Sequence, residues 1–292
     1  MNNCPICGSL LKDAKAPVPF RVTDHSVSKE TFTITTCQNC ELLHTNLEPA
    51  KSTADYYDDE DYASHRLNYL NPVHILYSLA RSFTLRSKKN LIEKRAQDKT
   101  ILDYGCGTGN FLSTMSEAGW RVAGYEPSEK ARTEAARKRI NNLFGEEKNI
   151  QEQYSVITLW HALEHTENPK ETISLLKEKL SKGGIIVIAV PNFNSADAER
   201  YKDHWAAYDV PRHLWHFSEK SIVELASSTG MNLKEKLPMK FDSYYVSLLS
   251  EKYLNHGKQT PGTYIKALIS GYKSNRKAEK TGQYSSIIYI LN

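Results

Sequence analysis

The 292-residue sequence lacks a long hydrophobic run: its longest apolar stretch, Ile185 to Val190, is far short of the roughly 20 residues that a membrane-spanning helix needs. The N-terminal Met1-Asn2-Asn3-Cys4 has neither the basic nor the apolar region of a signal peptide. Cysteines are few and odd in number, at five. An odd count without a secretory signal argues against a disulfide scaffold. We therefore expect a cytoplasmic protein with no membrane span.

A strong net charge is also lacking, since 38 basic residues face 34 acidic ones. The basic excess lies at 252–280, where six lysines and Arg276 accompany only Glu279. Such a segment is usually a solvated surface, although it can also meet an anionic substrate or nucleic acid. The small net charge and the lack of an arginine-rich patch argue against a nucleic-acid partner. The 17 tyrosines exclude disorder of the whole chain.

Four of the five cysteines form two Cys-x-x-Cys pairs separated by 29 residues: Cys4, Cys7, Cys37 and Cys40. Two such turns supply four thiolates in a tetrahedron, which is the closed geometry of structural zinc. We therefore predict a small zinc ribbon at 1–47, whose four protein ligands leave no open position for catalysis. Free thiols or a redox Cys-x-x-Cys are the alternatives, but a redox pair needs no second one.

The rest of the chain divides into a linker with N-terminal helical structure at 48–98 and an α/β domain at 99–292. The linker begins with an acidic, aromatic segment at 56–62, and Pro72 opens a helix that runs to about Arg95. From Thr100 onward, predicted strands alternate with helices. Repeated β-α-β units predict a mostly parallel, doubly wound sheet. We predict a strand at 32–35 in the ribbon and strands at 101–104, 122–125, 140–144, 156–160, 185–190, 231–237 and 284–291 in the α/β domain. We also predict helices at 110–118 and 169–183, a helix that Ser128 caps, and a helix that Ser218 caps and that ends at Gly230.

Three alternate glycines, Gly105, Gly107 and Gly109, lie between the first predicted strand and its helix. Glycine there allows a sharp turn and a close approach of the backbone to a ligand. No Lys-Ser/Thr follows, which excludes a triphosphate-binding P-loop. Asp103, just before the first glycine, would repel phosphate but could hold a cationic amine. Glu126 ends the second strand, about where an acid would bind ribose hydroxyls.

The runs DYGCGTGNF at 103–111 and YEPS at 125–128 resemble the first two motifs of class I S-adenosylmethionine-dependent methyltransferases. TLWHALEHTENP at 158–169 and KGGIIVIAVPN at 182–192 agree. The resemblance implies a Rossmann-like α/β fold with a seven-stranded, mostly parallel sheet whose last strand is antiparallel. It also implies S-adenosylmethionine as cofactor, bound by Asp103, Gly105, Cys106, Gly107, Thr108, Gly109, Glu126, Pro127, Glu146, Trp160 and His161.

The segment Val210 to Ser218 is similar to the loop that carries a catalytic histidine in zinc-containing sugar C-methyltransferases. The similarity implies that His213 is the catalytic base, and His216 is a second candidate. Pro211 and Arg212 stand where those enzymes have Tyr and Glu, which argues against a carbanion mechanism. The alternative is that both histidines only order the loop. The pair Glu164-His165 is interpreted as a structural cap beside the cofactor.

The predicted function is therefore methyl transfer to a small-molecule acceptor, with a sugar or nucleotide sugar suggested by the second resemblance. An RNA base methyltransferase and a non-catalytic, cofactor-binding scaffold are the alternatives. We also expect the tyrosine- and lysine-rich insertion at 241–281 to act as a lid over the acceptor or to line a homodimer contact.

Overall fold

A computed structural model describes residues 3–15, 18–48, 51, 53–56 and 72–292 of the chain. The predicted acidic segment at 56–62 lies outside these residues except for Tyr56. Contacts divide the chain into two compact units. The first, here called the ribbon unit, comprises Met1–Tyr57, Leu163–Thr172 and Ala189–Tyr289; the second, the glycine-loop unit, comprises Asp58–Ala162, Ile173–Ile188 and Ile290–Asn292. Whether the predicted ranges 1–47, 48–98 and 99–292 fold independently stays a prediction.

The twelve described strands form two sheets. In chain order they are β1 Leu11–Asp13, β2 Arg21–Thr23, β3 Thr31–Cys37, β4 Leu43–Thr45, β5 Thr100–Tyr104, β6 Arg121–Tyr125, β7 Leu143–Phe144, β8 Tyr154–Trp160, β9 Leu180–Pro191, β10 Trp215–His216, β11 Leu233–Pro238 and β12 Ser286–Leu291. The large sheet has seven strands in the order β11-β12-β9-β8-β5-β6-β7. β5 pairs in parallel with β6 and with β8, and β6 pairs in parallel with β7. The predicted seven-stranded Rossmann-like sheet is confirmed.

Eight α-helices accompany these strands in the described part of the chain. They are α1 Pro72–Glu93, α2 Asn110–Glu117, α3 Glu129–Arg137, α4 Pro169–Glu178, α5 Ala196–Tyr201, α6 Glu219–Ser228, α7 Asp242–Leu254 and α8 Pro261–Thr281. Side-chain hydroxyls cap α3 and α6 at the predicted positions, where Ser128 accepts from the Ala131 N–H and Ser218 accepts from the Ser221 N–H. None of the described helices combines the length and apolar character that crossing a bilayer requires.

The smaller sheet joins the N-terminal segment to a distant part of the chain. Its strands run in the order β1-β3-β4-β10, and β2 pairs with β3. The predicted strand at 32–35 is therefore part of β3. β10 pairs antiparallel with β4, placing Trp215 opposite His44. The prediction that 210–218 is wholly loop is thus wrong at Trp215–His216, because the edge of β4 supplies backbone partners that no local sequence pattern reveals.

The predicted end of the fourth helix is also wrong. Gly183 and Gly184 were expected to end it, but α4 ends at Glu178 and both glycines lie inside β9. A Cβ on Gly184 would come within 3.0 Å of the Ser155 and Ser181 carbonyl oxygens. Gly184 therefore marks a close approach between backbones within the sheet rather than a helix C-terminus, whereas a Cβ on Gly183 would meet the Gln97 side chain.

A buried carboxylate ties together several segments of the ribbon unit. Asp197, only 1% exposed in α5, accepts hydrogen bonds from three side chains. Trp205 Nε1 donates at 2.9 Å, and the Ser274 and Ser285 hydroxyls donate at 2.6 Å each. Because these donors come from a loop, from α8 and from the residue before β12, Asp197 fixes how three elements pack.

Replacing Asp197 with Ala should lower the free energy of unfolding by about 3 kcal/mol, because three buried donors lose their acceptor at once. Urea denaturation measures the change. The matched control is Asp203→Ala at a half-exposed carboxylate, which should alter stability by less than about 0.5 kcal/mol. An Asp197→Ala variant as stable as this control would contradict the assigned role.

Candidate active site

The glycine loop after β5 combines tight packing with one open side. All three glycines have positive φ, at 75° for Gly105, 52° for Gly107 and 72° for Gly109. A Cβ would come 2.7 Å from the Ala162 Cβ at Gly105 and 2.8 Å from the Ala135 Cβ at Gly109. At Gly107 a Cβ would have no heavy atom within 4 Å. Two glycines thus serve packing, while the third leaves room for a ligand against the backbone.

Glu126 connects the end of β6 to this loop. Its Oε2 accepts from the Gly107 N–H at 2.9 Å, and its Oε1 accepts from the Ser128 N–H at 3.0 Å. Burial raises the pKa of this carboxyl, whereas the two backbone donors oppose that rise. Arg132 donates to the carbonyl oxygens of Glu126 and Pro127, which fixes the backbone there. Each carboxylate oxygen keeps a lone pair, so Glu126 can still accept from ligand hydroxyls.

Asp103 is a nearly fully buried acid at the end of β5. It is 3% exposed, and the Thr158 hydroxyl donates to its Oδ1 at 2.6 Å. Desolvation raises the pKa of Asp103 to about 7, although the Thr158 hydrogen bond lowers it. A carboxyl poised in this range becomes an effective partner for a cation, whose charge would favour the ionised form.

The end of β8 contributes an unsatisfied donor and a strained residue. The buried Nε1 of Trp160 has no hydrogen-bond partner within the described ranges. The Trp160 ring contacts Phe111 edge-on, with 5.5 Å between centroids, and the Lys88 ammonium lies 4.3 Å from its centroid. His161 has φ of 56°, a left-handed conformation that is unfavourable for a non-glycine residue and is found at functional sites.

The remaining predicted cofactor residues occupy differing environments. Cys106 is buried, and burial raises the pKa of its thiol, so it is an unreactive small side chain. Thr108 accepts a hydrogen bond from the Asn110 side chain at 2.8 Å. Glu146 is 60% exposed and pairs with Lys148, whereas its neighbour Glu147 accepts from the Tyr104 hydroxyl at the end of β5. The sequence offered no signal favouring Glu147, and the role of Glu146 stays a prediction.

The four paired cysteines of the ribbon unit converge on one point. The Sγ atoms of Cys4 and Cys40 are 3.5 Å apart, those of Cys7 and Cys37 are 3.4 Å apart, and all four lie within 4.8 Å of one another. Four sulfurs around a tetrahedral zinc would be separated by about 3.8 Å, given Zn–S bonds of about 2.3 Å. The arrangement therefore suits such an ion.

Hydrogen bonds distinguish the two candidate histidines of the ribbon unit. The Nδ1 of His213 lies 3.0 Å from the Ala207 carbonyl oxygen, which can only accept, so Nδ1 carries a proton and the neutral form of the ring has its lone pair on Nε2. The Thr45 hydroxyl donates to the His213 carbonyl oxygen at 2.9 Å and must then accept from His216 Nε2 at 2.9 Å. The Nε2 of neutral His213 is thus an acceptor, whereas the Nε2 of His216 is a donor. Burial also holds the pKa of His216 well below its usual value.

A buried ion cluster holds the backbone just before His213. The Arg212 guanidinium, 7% exposed, donates to Asp24 Oδ1 at 3.0 Å and to Asp209 Oδ1 at 2.7 Å. Asp24 accepts further hydrogen bonds from the Ser26 and Ser28 backbone N–H groups. Despite its burial, the pKa of Asp24 lies below its usual range because of these donors and the guanidinium charge. The cluster joins two segments separated by 188 residues.

Of the predicted site residues, the glycine-loop unit brings together Asp103, the three glycines, Glu126, Pro127, Trp160 and His161, while leaving Glu146 largely exposed. His213 and His216 belong to the ribbon unit with the four cysteines. Sequence reasoning missed Thr45, Asp24 and Asp209, which fix the two histidines. No local pattern marks Thr45 and Asp24, because their partners lie far away in the chain, whereas Asp209 pairs with Arg212 only three residues later.

Comparison with known proteins gives a consistent result. A family model described as a methyltransferase domain matches residues 74–236, more than half of the chain. Ubiquinone biosynthesis O-methyltransferase from Serratia proteamaculans (strain 568) is 25% identical over 162 residues, covering 52% of this chain and 63% of that protein. The protein of the same name from Yersinia pestis (strain Pestoides F) is 28% identical over 139 residues, covering 44% and 53%. The chain thus matches less than two thirds of the length of these curated relatives.

One solved structure supports the fold. The crystal structure of magnesium protoporphyrin IX methyltransferase from Synechocystis PCC 6803 with bound S-adenosylhomocysteine aligns with a TM-score of 0.53 at 15% identity. The alignment covers 81% of this chain and 96% of that one. At this identity the likeness concerns the fold alone.

Replacing Asp103 with Asn should remove a loss of folding stability that the wild type shows as the pH rises. The folded-state pKa of about 7 lies above the ordinary value of about 3.9. Between these values the folded state binds more protons than the unfolded state, so stability falls as the pH rises. Asparagine can still accept from Thr158 but does not ionise.

Urea denaturation at pH about 5 and about 8 measures this effect. We expect the free energy of unfolding of the wild type to fall by about 3 kcal/mol, relative to that of Asp103→Asn, from the lower pH to the higher one. The matched control is Asp98→Asn at an exposed position, which should follow the wild type. A wild type and Asp103→Asn variant with parallel pH profiles would contradict the raised pKa.

Proposed function

Because this chain belongs to the methyltransferase domain family, we propose that it transfers a methyl group from S-adenosylmethionine to a hydroxyl of a small molecule. The observation that carries the proposal is the joint arrangement of Asp103, Gly107 and Glu126. A buried acid, an open stretch of backbone and a second acid with spare acceptor capacity lie in one unit. An amino acid joined to a nucleoside needs this combination of partners.

The residues of the glycine-loop unit fit the cofactor in complementary ways. Asp103 would pair with its ammonium group, and Glu126 would accept from its ribose hydroxyls. The space beside Gly107 admits the ligand, and the unsatisfied Trp160 Nε1 can donate to it. When bound, the cofactor supplies an electrophilic methyl group on a sulfonium. The chain's own contribution is to hold the reactants in line and exclude water.

His213 is the residue we assign as general base. Its Nε2 lone pair can take the proton of an acceptor hydroxyl, while the Nδ1–H bond to Ala207 fixes the orientation of the ring. Asp209 Oδ2, at 3.9 Å from Nε2, would stabilise the imidazolium that forms. His216 instead donates through Nε2 to Thr45, so we assign it a positioning role.

The residues around this base bear on which acceptor atom is methylated. Arg212 stands in the place of the acid expected for a carbanion mechanism, and its charge is already taken up by Asp24 and Asp209. Transfer to oxygen therefore fits these residues better than transfer to carbon. The curated relatives are named as O-methyltransferases. A sugar or nucleotide sugar is the first acceptor class to test.

Transfer of a radiolabelled methyl group tests the proposal directly. The full chain is incubated with labelled S-adenosylmethionine and with panels of nucleotide sugars, free sugars and hydroxylated aromatic compounds. The account predicts label in an O-methyl product of one panel. Label in RNA, or in a carbon-bound methyl group, would contradict it.

Replacing His213 with Asn should lower kcat about 100-fold, because the base is lost while Nδ2 can still bond to the Ala207 carbonyl. Binding of the cofactor should be unchanged, since its proposed residues lie in the other unit. The matched control is His204→Asn, at a histidine that pairs with Asp203 and should retain wild-type kcat. Near-wild-type turnover in the His213→Asn variant would refute the role.

We further propose that Cys4, Cys7, Cys37 and Cys40 bind one structural zinc ion. The convergence of their sulfurs supports this, and a closed four-thiolate site leaves the ion no catalytic position. Because β4 pairs with β10 and Thr45 holds His213 and His216, loss of the metal would also loosen the candidate base.

Purified protein should therefore contain about one zinc per chain, and Cys37→Ser should lose most of it together with several degrees of melting temperature. Elemental analysis and thermal melting with and without a chelator measure both effects. Cys106→Ala is the matched control and should keep its zinc, because that cysteine lies in the other unit. Wild-type protein with no bound zinc would contradict the assignment.

A further inference from the structure

Helix α8 exposes its large apolar side chains and buries its small ones. Ile265, Leu268, Ile269 and Tyr272, here called the apolar face, are 58%, 59%, 49% and 57% exposed. Their spacing of three and four residues places them on one stripe of the helix. The buried side is composed of Thr263, Ala267, Ser270, Gly271, Ser274, Asn275 and Ala278. This is the reverse of the pattern expected for a helix that packs only on its own protein.

Packing against α7 fixes this rotation of α8. A Cβ on Gly271 would come 2.7 Å from Tyr244 Cδ1 and 3.0 Å from Tyr244 Cα, so the two helices approach too closely for a larger residue. The Ser243 hydroxyl donates to the Gly271 carbonyl oxygen at 3.2 Å, and Asn275 Nδ2 donates to the Lys240 carbonyl oxygen at 2.9 Å. The apolar face therefore cannot turn inward without losing these contacts.

A row of lysines borders the apolar face along the helix. Lys266, Lys273 and Lys280 are exposed and seven residues apart, which places them on one line beside the apolar stripe. Lys252 and Lys258 add charge from α7 and from the turn after it. None of these five makes an ion pair with the described residues, whereas Arg276 and Lys277 pair with Glu279 and Glu199 respectively.

We propose that the apolar face and its lysine row bind an anionic lipid bilayer, with α8 lying in the plane of the membrane surface. Apolar side chains flanked by lysines are the pattern by which a helix inserts shallowly and contacts acidic headgroups at once. The unpaired cations find their counter-charge there, and Ile265, Leu268, Ile269 and Tyr272 leave water.

The same observations disfavour other occupants. A second copy packed on the apolar face would bring a further set of lysines without ion pairs and no counter-charge for the first set. A nucleic acid would neutralise the lysines through its phosphates but leave the apolar side chains in water. The charge and the apolar stripe together thus point to lipid.

Co-sedimentation of the full chain with vesicles tests this proposal. Wild-type protein should bind vesicles that contain phosphatidylglycerol and not vesicles of phosphatidylcholine alone, and salt should weaken the binding. Leu268→Glu/Ile269→Glu should weaken it at least about tenfold. Lys266→Glu/Lys273→Glu/Lys280→Glu should weaken it about 100-fold. All these positions are exposed, so melting temperatures should stay near that of the wild type.

The matched control is Val223→Glu, which places a carboxylate at a 45% exposed apolar residue of α6 and should bind like the wild type. Equal binding to neutral and anionic vesicles, no binding to either, or wild-type binding by the α8 variants would overturn the proposal. It would also be overturned if wild-type protein eluted as a dimer, failed to bind vesicles, and became monomeric in Leu268→Glu/Ile269→Glu.

Discussion

The guanidinium of Arg212 is a buried positive charge, and much of the ribbon unit is arranged around the need to neutralise it. Leaving such a charge without partners inside a protein would cost several kcal/mol. Asp24 meets that need from the N-terminal segment, and Asp209 does so from three residues before the arginine. Their positions fix the turn after β2 and the backbone from Asp209 to His213. The orientation of the His213 ring, through its bond to Ala207, depends on that backbone.

The Arg212–Asp24 ion pair ties the N-terminal segment to the loop that carries the proposed base. β4 supplies backbone partners to β10, and Thr45 bonds both to the His213 carbonyl oxygen and to His216 Nε2. The proposed zinc site would therefore stabilise more than a separate module. A metal that takes no part in catalysis can still decide whether the proposed base is held in place. The two rings differ in their hydrogen bonds, and the proposed roles of His213 as a base and His216 as a positioning residue rest on that difference.

The sequence predicted those parts of the molecule whose conformation depends on residues close together in the chain. Alternate glycines after a strand reflect a backbone requirement within a few residues, and each Cys-x-x-Cys pair is one turn. The alternation of strands and helices predicted a mostly parallel sheet, and the resemblance to class I methyltransferases implied that it has seven strands. The features that escaped prediction depend on residues elsewhere in the chain. Gly184, for example, does not end a helix but allows the Ser155 carbonyl oxygen to approach its backbone. Asp24 stands out only through its hydrogen bond from Arg212, and Glu147 only through its hydrogen bond from Tyr104.

The central claim is that the glycine-loop unit binds S-adenosylmethionine through Asp103, Gly107 and Glu126. Isothermal titration calorimetry of the full chain with S-adenosylhomocysteine, the demethylated product, tests it most directly. The account predicts one molecule bound per chain with a micromolar Kd, weakened by at least about tenfold in Glu126→Ala. Folded protein that binds no S-adenosylhomocysteine, or a Glu126→Ala variant that binds it as tightly as the wild type, would contradict the account.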